Sequence, residues 1–312
     1  MTRYLIKRLL YLLPVMLGVS IVTFGLINLA PGDPAEIILR TEGVEPTREA
    51  VEAMREKLGL KAPVHIQYLH WLWNVLNFDL GTSYRTGTPV AEEISSRLPA
   101  TLELTLAAMF FMFLLALPAG ILAALYRHKF IDHFSRVGAL IGASMPNFWQ
   151  GLVLIYFFAV VWDIFPVMGR GGLSHLVLPA VTLGFSMAAV YTRVLRASML
   201  DVLGQEYVKV ARAKGLKEKW VIGRHALKNA LLPAVTLFGM SFGHLLGGTV
   251  IVETIFAWPG VGKFAVEAIF NRDYPVIQGY VLFMAIIFVL ANLLVDIIYV
   301  FLDPRIRLER SH

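Results

Sequence analysis

The sequence predicts an all-α polytopic membrane protein with six transmembrane helices and a helical external insertion between the first two. Three observations carry this. Of the 312 residues, 57% are hydrophobic and only 16% charged, where a soluble domain carries roughly a quarter charged. Mean hydropathy is +0.66. Six segments, 9–30, 101–125, 136–162, 176–197, 230–253 and 278–301, hold the ~20 apolar residues that cross a ~30 Å hydrocarbon core at about 1.5 Å per residue. Helices are the expected form, because backbone polar groups in lipid must be satisfied within each segment.

The first element, 1–30, opens with Arg3, Lys7 and Arg8 ahead of a long apolar run. That run outlasts a secretory h-region and closes on Ala30-Pro31-Gly32-Asp33-Pro34 rather than on an Ala-x-Ala pattern, so it reads as a retained span. The segment 31–100 is the external insertion. Val51, Met54 and Leu58 share one face of a helix predicted near 47–58, with Gly59 as its stop. Tyr68, Trp71, Leu72, Trp73 and Leu76 then crowd the stretch 65–78, an aromatic density suited to a membrane interface. Two readings stay open for that stretch: a small cap packed on the bundle, or a docking surface for an external partner.

The five-helix membrane core spans 101–301 and the tail 302–312. Arg127, Lys129 and Arg136 lie between the second and third spans, and Arg305, Arg307 and Arg310 lie in the tail. The loop 193–228 holds nine Lys/Arg against three acids, a surplus equal to the whole formal net charge of +6. The opposite short loops carry only Arg170, Lys263 and Arg272. The positive-inside rule therefore puts both termini in the cytoplasm and 31–100 outside. The basic pI of 9.5 marks a membrane face rather than a nucleic-acid partner.

The absence of cysteine excludes disulfides, thiol catalysis and Cys-ligated metals. The run Gly260-Val261-Gly262-Lys263 fails the phosphate-loop pattern twice, because Ala257 stands where the first Gly is needed and Phe264 follows the Lys. No ATP site is expected on this chain. The eight histidines form no close-spaced ligand set, so no metal site is expected; His65, His70, His175 and His244 could form one only by meeting in three dimensions, and ordinary hydrogen-bonded histidines are the expected reading.

Polar residues inside spans are costly unless they face protein or water. The third span carries Pro146-Asn147-Phe148-Trp149-Gln150, where Pro146 is expected to bend the helix and Asn147 and Gln150 share a face. The fifth span carries Ser241 and His244, with Glu253 near its end. Asn147, Gln150, Ser241 and His244 are the candidate translocation path. The alternative is hydrogen bonding that only ties helices together.

In the basic loop, Leu203, Tyr207, Val210, Ala211 and Ala213 form a broken helical stripe, and Gly215 is a natural residue just past a helix end, followed by the apolar Leu216. A second short helix is expected through Trp220, Val221, Ala226 and Leu227, ending before Pro233. Such a projection is a handle for a cytoplasmic partner, or else a solvated loop near anionic headgroups.

The runs Glu206-Tyr207-Val208-Lys209-Val210-Ala211-Arg212-Ala213-Lys214-Gly215-Leu216 and Arg224-His225-Ala226-Leu227-Lys228-Asn229-Ala230-Leu231-Leu232-Pro233 resemble the "EAA" loop of ABC-importer permeases, in the variant of the dipeptide, oligopeptide and nickel group. The resemblance extends to Arg97-Leu98-Pro99-Ala100-Thr101-Leu102-Glu103-Leu104, to Glu253-Thr254-Ile255-Phe256-Ala257-Trp258-Pro259-Gly260-Val261-Gly262 and to Asp303-Pro304-Arg305-Ile306-Arg307. Lys209 departs from the broad pattern, which has an acid there. The resemblance implies a type I ABC-importer permease fold in a prokaryotic inner membrane. It also implies a second, similar permease, two ATPase subunits carrying ATP and Mg, and an extracytoplasmic substrate-binding protein. Tyr207, Ala211, Arg212, Ala213, Lys214, Gly215 and Leu216 would seat in an ATPase cleft. The implied cargo is nickel, as a chelate, with short peptides as the alternative. A passive channel is the rival class, and it would conduct without any ATPase.

Overall fold

The computed structural model describes residues 2–29, 32–41, 43 and 45–302, with side chains at 2–9, 11, 41, 236, 238–244, 246–248 and 294–302 outside that description. In chain order the helices are α1 (Thr2–Leu29), α2 (Pro34–Thr41), α3 (Arg48–Lys57), α4 (Val64–Leu76), α5 (Val90–Leu125), α6 (Phe130–Ser144) and α7 (Asn147–Leu154). They continue with α8 (Leu173–Leu203), α9 (Glu206–Ala213), α10 (Glu218–Trp220), α11 (Leu227–Ile255), α12 (Val261–Asn271) and α13 (Tyr274–Leu302). The chain gathers into two compact units, one of residues up to Pro99 with Gly260–Leu293, the other built on Ala100–Pro259.

Among the described residues, α1, α5, α8 and α13 are long and apolar enough to cross a bilayer, and α6 paired with α7 and its π-helical continuation Ile155–Val161 makes a fifth if counted as one span. The sixth expected segment, 230–253, falls inside the 29-residue α11. The tail 302–312, with Arg305, Arg307 and Arg310, lies outside the described residues beyond its first position.

In the first unit, Thr47 caps α3 by accepting from the Ala50 amide at 3.3 Å. Val51, Met54 and Leu58 are half-buried, as is Ala50, while the rest of α3 is exposed, and Gly59 stops the chain at φ +70. The predicted face and stop are both present. α4 packs on α1: the Tyr68 hydroxyl meets Ser20 Oγ at 2.9 Å, and the Phe24 ring lies 5.3 Å from Tyr68 and 5.9 Å from Trp71. Leu69, Trp73 and Leu76 stay exposed on the other side. The 82–89 turn is clamped by Asp273, a buried carboxylate between α12 and α13. It accepts from Ser83 Oγ at 2.5 Å, from the Tyr84 amide at 3.1 Å and from the Arg85 amide at 3.3 Å. Burial, and then the Asp273 charge, push the Tyr84 hydroxyl up to about 12, so it stays a proton donor at any physiological pH. Val90, Ile94, Val261, Phe264, Ala268 and Val276 form the core beneath, and the Arg97 guanidinium lies 4.2 Å from the Phe264 ring centroid.

The second unit has its core at Leu104, Ala108, Leu183, Leu245, Val252, Phe256 and Trp258. Trp258 is fully buried and donates from Nε1 to the Ala100 carbonyl at 2.7 Å. Glu253 is also fully buried and accepts from Thr101 Oγ1 at 2.7 Å. α8 approaches α5 backbone to backbone, because Gly184 has no Cβ; a Cβ there would sit 2.5 Å from the Ala108 carbonyl oxygen. Gly184→Ala is therefore expected to force the two helices apart and cost about 1–3 kcal/mol. Thermal unfolding in detergent checks this, and an unchanged midpoint would contradict it.

Two expectations need correction. The segment 136–162 is not one bent helix, because α6 and α7 meet at 107° across a break. Met145 is extended (φ −85°, ψ 126°), as the residue before a proline is forced to be. Pro146 then stands ahead of the first turn of α7, where its missing N–H breaks no helical bond. The second correction concerns the loop. Its second helix does not end before Pro233. α10 runs through a π-helical turn, Val221–Ala226, directly into α11, with Pro233 inside that helix. Ala226 and Ala230 are fully buried in one cluster with Leu195 and Met199 of α8, and this packing outweighs the local cost of proline.

Candidate functional site

The loop between α8 and α11 is a folded object. Gln205 is extended ahead of α9, and α9 closes at Lys214. Gly215 adopts φ +77, which glycine takes without a Cβ penalty. Its amide donates to the Arg212 carbonyl at 2.9 Å, and the Leu216 amide to the Ala211 carbonyl at 3.4 Å. This is the paired Schellman closure that satisfies the last helical carbonyls, at the glycine the sequence singled out. Val208 and Ala211 turn inward onto Val221, with Val202 and Leu203 beside them. The Tyr207 hydroxyl accepts from Asn229 Nδ2 at 2.7 Å, tying α9 to the first turn of α11. Arg212 donates from Nη2 and Nε to Glu218 at 2.6 and 3.2 Å. The hydrogen bond to Arg212 holds the Glu218 carboxyl below its ordinary value and raises the guanidinium in return. Both side chains are exposed, so solvent screens the pair.

Of the seven predicted coupling residues, Tyr207, Arg212, Ala213, Lys214, Gly215 and Leu216 are exposed. Ala211 is not: it is 5% exposed and packs inside the loop. Two residues outside the predicted seven belong to the exposed surface. Val210 (51%) and Trp220 (53%) stand out with Tyr207 and Leu216 among lysines. Together they give the charged loop an exposed apolar component. The signal was available, since Val210 lies three residues after Tyr207 on one helical face.

The structure brings Asn147 and Gln150 together through a residue not predicted, Ser186 of α8. Its hydroxyl donates to Asn147 Oδ1 at 2.7 Å and lies 3.3 Å from Gln150 Oε1. One hydroxyl has one proton, so the two amide oxygens compete for it. Ser241 and His244 lie on α11, but their side chains are outside the described residues. Arg196, counted among the loop's charges, is instead a helix tie. It donates to the fully buried Asp132 carboxylate from Nε at 2.6 Å and Nη2 at 2.8 Å, and the His128 amide adds a third bond at 2.9 Å. This bidentate pair fastens the start of α6 to α8. Among the described residues no group of three His, Asp or Glu is placed to hold a metal ion.

The sequence matches two family descriptions: residues 116–308 match the binding-protein-dependent transport system inner membrane component, and residues 1–105 its N-terminal membrane component. It is 42% identical over 307 residues to the glutathione transport system permease protein GsiC of Escherichia coli O6:H1 (strain CFT073), covering 98% of this chain and 99% of that one. It is 40% identical over 338 residues to the dipeptide transport system permease protein DppB of Escherichia coli K12, with the same coverage. The fold is similar to the MetNI methionine ABC transporter in inward-facing conformations, with TM-score 0.58 and 20% identity over 68% of this chain and 96% of that one. An amino acid ABC transporter aligns with TM-score 0.52 and 18% identity, over 69% of this chain and 94% of that one. At these identities the structural likeness speaks for the fold alone. The expectation of nickel finds no support in these relatives, whose names carry dipeptide and glutathione. The family makes the protein a transport subunit rather than an enzyme. From the length of the match and the identity across the whole chain, the protein belongs to the binding-protein-dependent transport system inner membrane components and is a permease subunit of an ABC importer.

Proposed function

We infer that this permease imports short peptides, together with a second permease, two cytoplasmic ATPases and an extracytoplasmic binding protein. Two relatives matched over nearly their whole length are named for dipeptide and glutathione transport, and glutathione is itself a tripeptide. In this reading both termini are cytoplasmic, 31–100 is the external insertion, and the 193–228 loop takes the ATPase stroke. The observation that carries the coupling role is α9. It is exposed on one side, closed by Gly215, and seated on its other side against the end of α8 and the start of α11. Asn147 and Gln150, with Ser186, line the path, together with Ser241 and His244.

The assembled transporter is expected to take up radiolabelled dipeptide with saturation and ATP dependence, and to ignore nickel. Nickel uptake that dipeptide cannot compete away would overturn the peptide reading. Asn147→Ala and Gln150→Ala should each lower uptake at least severalfold, by removing one polar contact of about 1 kcal/mol in the path, with ATPase association unchanged. Normal uptake in both would reduce the cluster to a tie between helices.

A further inference from the structure

The first unit holds a cavity of about 500 Å³ that none of these roles uses, a volume within the usual range for small-ligand pockets. One face of α4 floors it, with Trp71 on that face, and the rings of Tyr84 and Tyr274, 6.5 Å apart, also line it. Three polar groups line it without a protein side-chain partner among the described residues: one buried amide and two exposed charges. Gln278 is 6% exposed, lines the cavity, and has no hydrogen-bond partner among the described residues. Lys57 and Asp79 line it too, and neither has an ionic partner among the described residues. Among the described residues Asp79 accepts from the Gly81 amide, at 2.8 Å.

These two opposite charges sit at opposite ends of α4. Gln67, in its first turn, donates to the Leu60 and Ala62 carbonyls and so holds the end of α3, with Lys57, at that end. The Asp79 amide donates to the Asn74 carbonyl at 2.9 Å, which fixes Asp79 at the other end. Thirteen helical residues cover about 20 Å. A span of that order is what a short peptide covers, at about 3.3–3.6 Å per extended residue. We propose that this cavity binds a short zwitterionic peptide in extended form, its carboxylate at Lys57, its ammonium at Asp79 and a backbone amide at Gln278, with the aromatic rings flanking its side chains. The proposal rests on the peptide reading of function and adds to it a binding site made of other residues.

The test is equilibrium binding of radiolabelled Ala-Phe-Ala to the membrane assembly in nanodiscs without the binding protein, beside peptide uptake by the complete transporter. The zwitterion is expected to bind, and the N-acetyl, C-amide form of the same peptide at least tenfold more weakly. Lys57→Gln and Asp79→Asn should each lose about tenfold, the weight of one charge-assisted hydrogen bond. Both side chains are exposed, so neither change threatens the fold. Gln278→Leu should also weaken binding. If wild-type uptake is normal but the tripeptide does not bind, or the blocked peptide or both charge variants bind as tightly as the reference, the cavity proposal is overturned alone. A wild-type transporter that imports no peptide overturns the functional reading and this site with it.

Discussion

Gly215→Trp is expected to leave the protein inserted and folded while abolishing ATPase association and peptide uptake. A Cβ at Gly215 would meet nothing within 4 Å, so bulk costs the fold little. The backbone stands at φ +77, and a side chain there carries a left-handed penalty of about 1 kcal/mol, small beside a typical stability of 5–15 kcal/mol. The indole would instead cover Leu216 and the end of α9, the surface proposed to enter the ATPase. Loss of a contact of that weight, about 2–3 kcal/mol, lowers uptake about a hundredfold. Gly215→Ala carries the same backbone penalty without the bulk and should keep most of the uptake. Co-purification with the ATPase and ATP-dependent uptake in vesicles are the measurements. Full uptake in the Trp variant would sink the coupling role, and equal loss in the Ala variant would move the cause from contact to backbone.

The second large effect is on stability. Asp132→Ala removes a carboxylate with no exposed surface and strands Arg196, which keeps a fifth of its side chain exposed. Breaking a fully buried pair from one side costs about 3–5 kcal/mol. Partial exposure of Arg196 reduces the expectation to about 2–4 kcal/mol, read as a clear drop in the detergent unfolding midpoint and in membrane abundance. The double change Asp132→Leu with Arg196→Leu removes both charges and should recover much of the loss. A double variant no better than the single would mean that the His128 amide contact, and not the ion pair, holds the corner.

What the sequence made legible was local. The stripe Val51, Met54 and Leu58 and the glycine stops at 59 and 215 rest on neighbours within one or two turns, and the structure has them as read. The failures were tertiary. Ser186 meets Asn147 across 39 positions, and no periodicity announces such a partner. Arg196 looked like one more loop cation because its acid lies 64 positions away. α9 carries apolar residues on both faces, and only packing on Val221 decides that Val208 and Ala211 go in while Tyr207 and Val210 go out. Pro146 signalled a disturbance, but whether a proline bends a helix or begins a new one depends on the backbone of the residue before it.

Because α9 leans on the exit of α8 and the entrance of α11 together, in the proposed coupling role it would act as a crank pin shared by two rods. α8 has 31 residues and is about 46 Å long. A push of about 2 Å at its foot tilts such a rod by only ~2.5°. In that proposed role the pin would set the moment and direction of a stroke but supply little amplitude. A wide opening would need a knuckle that swings, and the 107° corner at Met145 and Pro146 is one place for it.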